Sequence, residues 1–96
     1  MKIEWDDTKN NQNIRKHGFS LADAWAVFER PMLANIDASD VFEQRISAIG
    51  FLRQHVVVVI FAEREDDTIR IISLRKASKY ERKRFEEFLR DELGAD

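Results

Sequence analysis

The longest apolar run in the chain is Val56 to Ala62, reading Val-Val-Val-Val-Ile-Phe-Ala, with His55 before it. It is nearly all β-branched or aromatic, the residue types that suit a pleated backbone and lose rotamer freedom in a helix. It is also too short to cross a bilayer. His55 to Ala62 therefore reads as a central strand buried on both faces, and the other elements are placed around it.

On either side of this strand the pattern is strand-rich. Met32 to Ile36 and Phe42 to Gly50 read as strands joined by a polar turn, Asp37 to Asp40. After a charged turn, Glu63 to Asp67, a last strand runs from Thr68 to Leu74. Strict alternation would point Arg70, Ile72 and Leu74 one way and Ile69, Ile71, Ser73 and Arg75 the other. Lys2 to Trp5 forms a short first strand.

Helices are expected at both ends. Asp6 or Asp7 caps a helix to about Lys16, stopped by His17-Gly18. This helix has only one large apolar residue, Ile14. Lys9, Asn13 and His17 share one of its faces at i, i+4, i+8. So polar a helix is poorly held by burial, so its polar face is expected to be used. Ser20 opens a second helix, with Leu21, Ala24, Trp25 and Phe28 as its buried stripe and Pro31 as its stop. Ser78 and Glu81 have the spacing of a capping box for a closing helix. Phe85, Phe88, Leu89 and Leu93 form its apolar stripe, and Arg82–Glu86, Lys83–Glu87 and Glu86–Arg90 are candidate ion pairs. The expected fold is α+β: two N-terminal helices, a central antiparallel sheet of about four strands and a C-terminal helix.

Ninety-six residues, 44% hydrophobic and 35% charged, make a single domain spanning 1–96. With no cysteine, disulfides and thiolate metal sites are excluded. The start, Met-Lys-Ile-Glu-Trp-Asp-Asp, has no apolar signal region, so a cytoplasmic location with no membrane association is expected. The net charge of −2 is unevenly spread. Arg70 to Arg84 holds seven of the sixteen bases and only one acid, Glu81. A basic run across a strand end and a helix start is the footprint of a phosphate site on an otherwise acidic protein.

Metal chemistry is poorly supported, because His17 and His55 lie on different elements and no His-Glu-x-x-His or comparable spacing occurs. There is no Gly-x-Ser-x-Gly turn and no glycine-rich phosphate loop. What remains is metal-free acid–base work beside a basic patch. Cleaving RNA requires a group to take the 2′-OH proton, another to protonate the leaving 5′ oxygen, and cations around the crowded phosphate. His17 is the acid–base candidate, although it would equally serve as a helix C-terminal cap. Arg75 and Lys76, just past the last strand, are candidate phosphate ligands or a solvated turn. Arg45 and Arg70 lie inside strands, where a charge must meet solvent or a partner. Lys79, Arg82 and Lys83 fit RNA tracking or plain solvation. His55, Trp5, Trp25 and Phe28 read as structural.

Several of these motifs together resemble one family. Ile3-Glu-Trp-Asp-Asp-Thr-Lys9, Asn13-Ile-Arg-Lys-His17-Gly18 and Ala24 to Phe28 resemble the amino-terminal signature of the BrnT toxins. Arg45-Ile-Ser-Ala-Ile-Gly50, Arg70-Ile-Ile-Ser73-Leu-Arg75-Lys-Ala77-Ser78 and Glu81-Arg82 agree with its second half, so the resemblance runs from residue 3 to about residue 88. It implies a RelE-like fold and a ribonuclease that arrests growth without a metal or other cofactor. It also implies a BrnA antitoxin with a ribbon-helix-helix DNA-binding part, through which the pair would meet operator DNA. On this resemblance Lys9, His17, Arg45, Arg70 and Arg75 become the expected catalytic set, and Lys76, Lys79, Arg82 and Lys83 the expected RNA-binding set. The chain departs from the family at Leu74, where Ala is common, and at Phe85, where Tyr is common. A different class of function also fits: a non-catalytic module that binds its antitoxin and tunes operon repression.

Overall fold

The structure, a computed structural model, describes residues 1–37 and 42–92. Its elements are β1 (Lys2–Glu4), α1 (Asp7–His17), a 3₁₀ turn (Leu21–Asp23), α2 (Ala24–Phe28), β2 (Met32–Asp37), β3 (Arg45–Leu52), β4 (His55–Arg64), β5 (Thr68–Lys76) and α3 (Lys79–Glu92). The strands form one mixed sheet in the order β1-β5-β4-β3-β2. β2 to β5 are an antiparallel meander, as expected. β1 adds a fifth strand, parallel to β5, through the pairs Lys2–Thr68, Ile3–Ile69 and Glu4–Arg70. Part of the expected Asp37–Asp40 turn, and Leu93, lie outside the described residues.

β4 is the central strand, and its alternation divides two cores. Val57, Val59 and Phe61 face a layer built from Phe19, Leu21, Ala24 and Val27. Val56, Val58 and Ile60 face Phe85, Phe88 and Leu89 of α3. Full burial of a Val side chain contributes about 1.5–3 kcal/mol, so a strand with Val57, Val58 and Val59 all at 0% exposure anchors both layers at once.

Three local features differ from simple periodicity. First, the segment after Ser20 begins as a 3₁₀ turn, with the Ser20 hydroxyl accepting from the Ala22 N–H. The tighter winding rotates the helical turn behind it, so Leu21, Ala24 and Val27 are buried while Trp25 is 43% exposed. Trp25 is therefore not core. α2 lies close to β3: a Cβ added at Gly50 would meet Val27 Cγ1 at 2.8 Å and Met32 Cβ at 3.3 Å. Second, β5 carries a bulge, since Ile60 pairs with Ser73 but Phe61 pairs with Ile71. Ile72 is the extra residue, so Ile71 and Leu74 can both enter the core under α1 and α2. Strict alternation along β5 does not hold.

Third, α1 is attached by hydrogen bonds, not by an apolar stripe. Asp6 caps it through the Lys9 N–H at 2.9 Å, and Gly18 ends it at φ +81°, a left-handed position that suits glycine. Ile14, its one large apolar residue, is exposed. Asn10 Oδ1 accepts the Leu21 N–H at 2.7 Å. Asn13, only 7% exposed, donates from Nδ2 to the Phe19 and Leu74 carbonyls, both at 2.9 Å, and accepts the Leu74 N–H at 3.2 Å. The pairing of β1 with β5 ends at Arg70, and four residues on the Asn13 amide pairs with the β5 backbone in place of a neighbouring strand.

At the other end of β5 the capping box is formed. The Glu81 N–H donates to Ser78 Oγ at 3.1 Å and the Ser78 N–H to Glu81 Oε1 at 2.8 Å. Phe85 is fully buried, edge-on to Phe51 at 5.0 Å between centroids. Among the described residues, the expected ion pairs Arg82–Glu86, Lys83–Glu87 and Glu86–Arg90 are not formed.

Candidate functional site

Docking α1 on the bulged stretch of β5 leaves a crevice of about 230 Å³ between them. Its walls are Lys9, Gln12, Asn13, Lys16 and His17 from α1, and Ile72 and Ser73 from β5. The α1 residues follow the i, i+3, i+4, i+7, i+8 spacing of a helix face, here polar throughout. Asn13 is the member that ties this face to β5, so the other four are held beside the strand without being consumed by the contact. The bulge places Ile72 and Ser73 side by side opposite Ile60.

His17 is half-buried in this wall. Burial lowers its pKa below the ordinary 6.5, and the neighbouring charges of Lys16 and then Arg75 push it in the same direction. A proton on His17 is thus disfavoured by both solvation and charge, which favours the neutral ring.

Arg75 is itself held. Its Nη1 donates to Glu81 Oε1 at 2.8 Å and its Nη2 to Glu81 Oε2 at 2.9 Å. A second, longer bond runs from Nη1 to the Lys76 carbonyl at 3.3 Å. The fork raises the Arg75 pKa and holds the Glu81 carboxyl down at about 2, with the Ser78 N–H assisting. This is the two-point geometry in which arginine and carboxylate interact most strongly.

The remaining expected residues lie elsewhere. Arg70 reaches Glu4 Oε2 at 2.9 Å, across the β1–β5 pair. Arg45, on β3, meets Glu43 at 3.5 Å, and Arg64 bridges to the same Glu43 at 2.6 Å. Strand pairing puts Arg45, Arg64, Arg70 and Arg75 on the sheet face that carries α3; none of the four lines the α1 crevice, and Arg75, two residues past Ser73, is the one whose charge bears on His17. Of the expected catalytic set, the crevice is lined by Lys9 and His17; Arg75 follows Ser73 on β5 without lining it, and Arg45 and Arg70 do not line it either. Lys76, Lys79, Arg82 and Lys83 are exposed, following Arg75 around the start of α3.

A family described as the ribonuclease toxin BrnT of type II toxin–antitoxin systems matches residues 5–81. The chain belongs to this BrnT family. Among solved structures it is similar to the crystal structure of the Brucella abortus ribonuclease toxin BrnT, with 33% identity and a TM-score of 0.65, covering 82% of this chain and 99% of that one. No curated protein sequence matches the chain. BrnT membership implies an RNA target and an antitoxin partner.

Within this BrnT chain, both departures from the common family pattern fall in cores. The Leu74 side chain is fully buried under α1 and α2, and Asn13 meets its backbone, not its side chain. Phe85, on α3, is buried against Ile49 and Val58 of the sheet, and as phenylalanine it brings no hydroxyl there. Gln12, Lys16 and Ile72 were not singled out by sequence reasoning. The polar i, i+3, i+4 pattern pointed to the first two, and nothing in the local sequence announces the bulge at Ile72. Among the described residues, no group of three or more His, Cys, Asp or Glu side chains could hold a metal ion, and no helix is long and apolar enough to cross a membrane.

Proposed function

We propose that this BrnT toxin is a metal-independent endoribonuclease of the cytoplasm that arrests growth and works at the α1–β5 crevice. The observation that carries the reading is the convergence of Lys9, Lys16 and His17 on one wall of the crevice, with the charge of Arg75 bearing on His17. A neutral imidazole flanked by cations suits a base that takes the 2′-OH proton. The 2′ oxygen then attacks phosphorus, the bond to the 5′ oxygen breaks, and a protonated group returns a proton to that oxygen. Lys9 is the candidate for this last role or for orienting the phosphate. Arg75 and Lys16 supply positive charge where the pentacoordinate phosphate gathers negative charge. Lys76, Lys79, Arg82 and Lys83 would track the flanking RNA backbone. Arg45 and Arg70, already paired with carboxylates, would meet RNA further along the sheet face.

The toxin would be neutralised by a cognate BrnA-like antitoxin whose ribbon-helix-helix part contacts operator DNA, so that DNA binding by the toxin is indirect. The test is cleavage of a defined structured RNA by the wild type and by His17→Ala and Arg75→Ala, each verified as folded by circular dichroism. Each variant is expected to lose at least tenfold in rate. Wild-type rates in both folded variants would remove them from the site. No cleavage by the wild type, with or without ribosomes, would favour the non-catalytic antitoxin-binding module.

A further inference from the structure

The hydrogen bonds of Arg75 can be counted donor by donor. A guanidinium has five N–H bonds in a fixed plane. The two on Nη1 go to Glu81 Oε1 and the Lys76 carbonyl, and one on Nη2 goes to Glu81 Oε2. Two remain, on Nε and on the side of Nη2 facing Nε, and no acceptor among the described residues takes either. They are parallel and lie along one edge of the plane, a spacing that matches two oxygens of one phosphate.

Glu81 is rigid for independent reasons. It closes the capping box three residues after Ser78, and its Oε1 also accepts the Ser78 N–H at 2.8 Å, so the helix start fixes the carboxylate before arginine is added. The same carboxylate then fixes the rotation of the guanidinium plane. An arginine without this restraint would spread its fork over many rotamers, and each phosphate contact would have to overcome that freedom.

We propose that Glu81 is a positioning residue, which through the capping box turns Arg75 so that its Nε–Nη2 edge faces a phosphodiester beside His17. This rests on the ribonuclease reading for the identity of the ligand as an RNA phosphate. Glu81 touches no substrate in this arrangement. It occupies the end of the fork and leaves the side edge open.

Two variants separate positioning from helix capping. Glu81→Gln preserves a capping-box partner for Ser78 but cannot hold both Arg75 nitrogens through carboxylate oxygens. Ser78→Ala weakens the cap but keeps the fork and the backbone N–H of Ser78. Two readouts are taken on each: the cleavage rate, and the ¹⁵N-resolved Nε–H signal of Arg75 during titration with a 2′-O-methyl RNA tetranucleotide, which has no 2′-OH to react. The wild-type signal is expected to shift on binding. In Glu81→Gln the affinity should fall at least fivefold and kcat at least tenfold. Ser78→Ala should leave both near wild type despite a lower melting temperature.

If the wild-type Nε–H does not respond to the tetranucleotide, or if Glu81→Gln binds it as the wild type does, the positioning role is overturned whatever the catalytic outcome. If the wild type binds through Arg75 in a Glu81-dependent way but cleaves no RNA, the positioning role stands and the ribonuclease reading fails.

Discussion

The side chain of Asn13 offers the sharpest test of how this polar helix is held to its sheet. Truncation to Ala removes the partners of three backbone groups, the Phe19 carbonyl and both the carbonyl and N–H of Leu74. Leaving a buried polar group unpaired costs about 1–3 kcal/mol. Asn13 also borders the crevice, so water can re-solvate part of what is lost. A total near 3 kcal/mol is expected for Asn13→Ala on that basis, a large share of the roughly 5–15 kcal/mol that stabilises a domain. The melting temperature should fall by about 10–20 °C. Asn13→Asp keeps the shape and the acceptor for the Leu74 N–H but sets a carboxylate against two carbonyl oxygens. It should be at least as damaging as Ala. The assay is equilibrium denaturation followed by Trp5 and Trp25 fluorescence, with hydrogen exchange at the Leu74 amide as the local probe. Protection of that amide should drop in Asn13→Ala before global unfolding. Both variants lying within about 1 kcal/mol of the parent would refute the edge-pairing argument, since three buried bonds cannot be lost so cheaply.

The packing and electrostatics have other measurable consequences. Gly50→Ala should destabilise by about 1–3 kcal/mol in urea denaturation, because its Cβ would meet Val27 Cγ1 at 2.8 Å and α2 must shift to admit it. Glu81, held at about 2 in the folded state, adds stability that is present above the ordinary carboxylate value of 4.5 and is lost as pH falls toward 2. The shift sets a ceiling of about 3 kcal/mol, and for a fork with side chains 24% and 35% exposed, solvent screening leaves roughly 1 kcal/mol, measurable as a smaller acid sensitivity in Glu81→Gln. His17 should titrate below 6.5 by NMR, and Arg75→Gln should move it upward by removing one of the charges that disfavour its proton. Because its pKa is lowered on folding, His17 gives stability above 6.5 that fades as pH falls through the folded value. A titration at or above 6.5 in the wild type would remove burial and Arg75 as the controlling influences.

Features set by local sequence were legible, and those set by distant contacts were not. The β-branched run 56–62 could only be a central strand, and the Ser78–Glu81 spacing could only be satisfied by a helix start, so both were readable without tertiary information. His17 and Lys9 were readable as a pair because helical spacing places them on one face. Trp25 was misplaced because a 3₁₀ turn precedes α2, and three residues of tighter winding change which side chains face the sheet. The role of Asn13 needed knowledge that the β1–β5 pairing stops at Glu4–Arg70 and leaves the β5 edge beyond it open to α1, a contact 61 residues away in sequence. Arg45 and Arg70 show the opposite problem. A charged residue in a strand signals a partner, but their partners are Glu43 and Glu4, and sequence alone does not distinguish an internal carboxylate from an external phosphate.

The most direct test of the ribonuclease account is the chemistry of the ends it leaves on RNA. A single defined transcript is incubated with the purified toxin in excess EDTA, with ribosomes added in a parallel reaction, and the fragment termini are identified by mass spectrometry. Attack by the 2′ oxygen, with His17 as base, predicts EDTA-resistant fragments carrying 2′,3′-cyclic phosphate and 5′-hydroxyl ends, absent in the folded His17→Ala, Arg75→Ala double variant. Fragments with 5′-phosphate ends that vanish in EDTA, or no fragments under either condition, would contradict it.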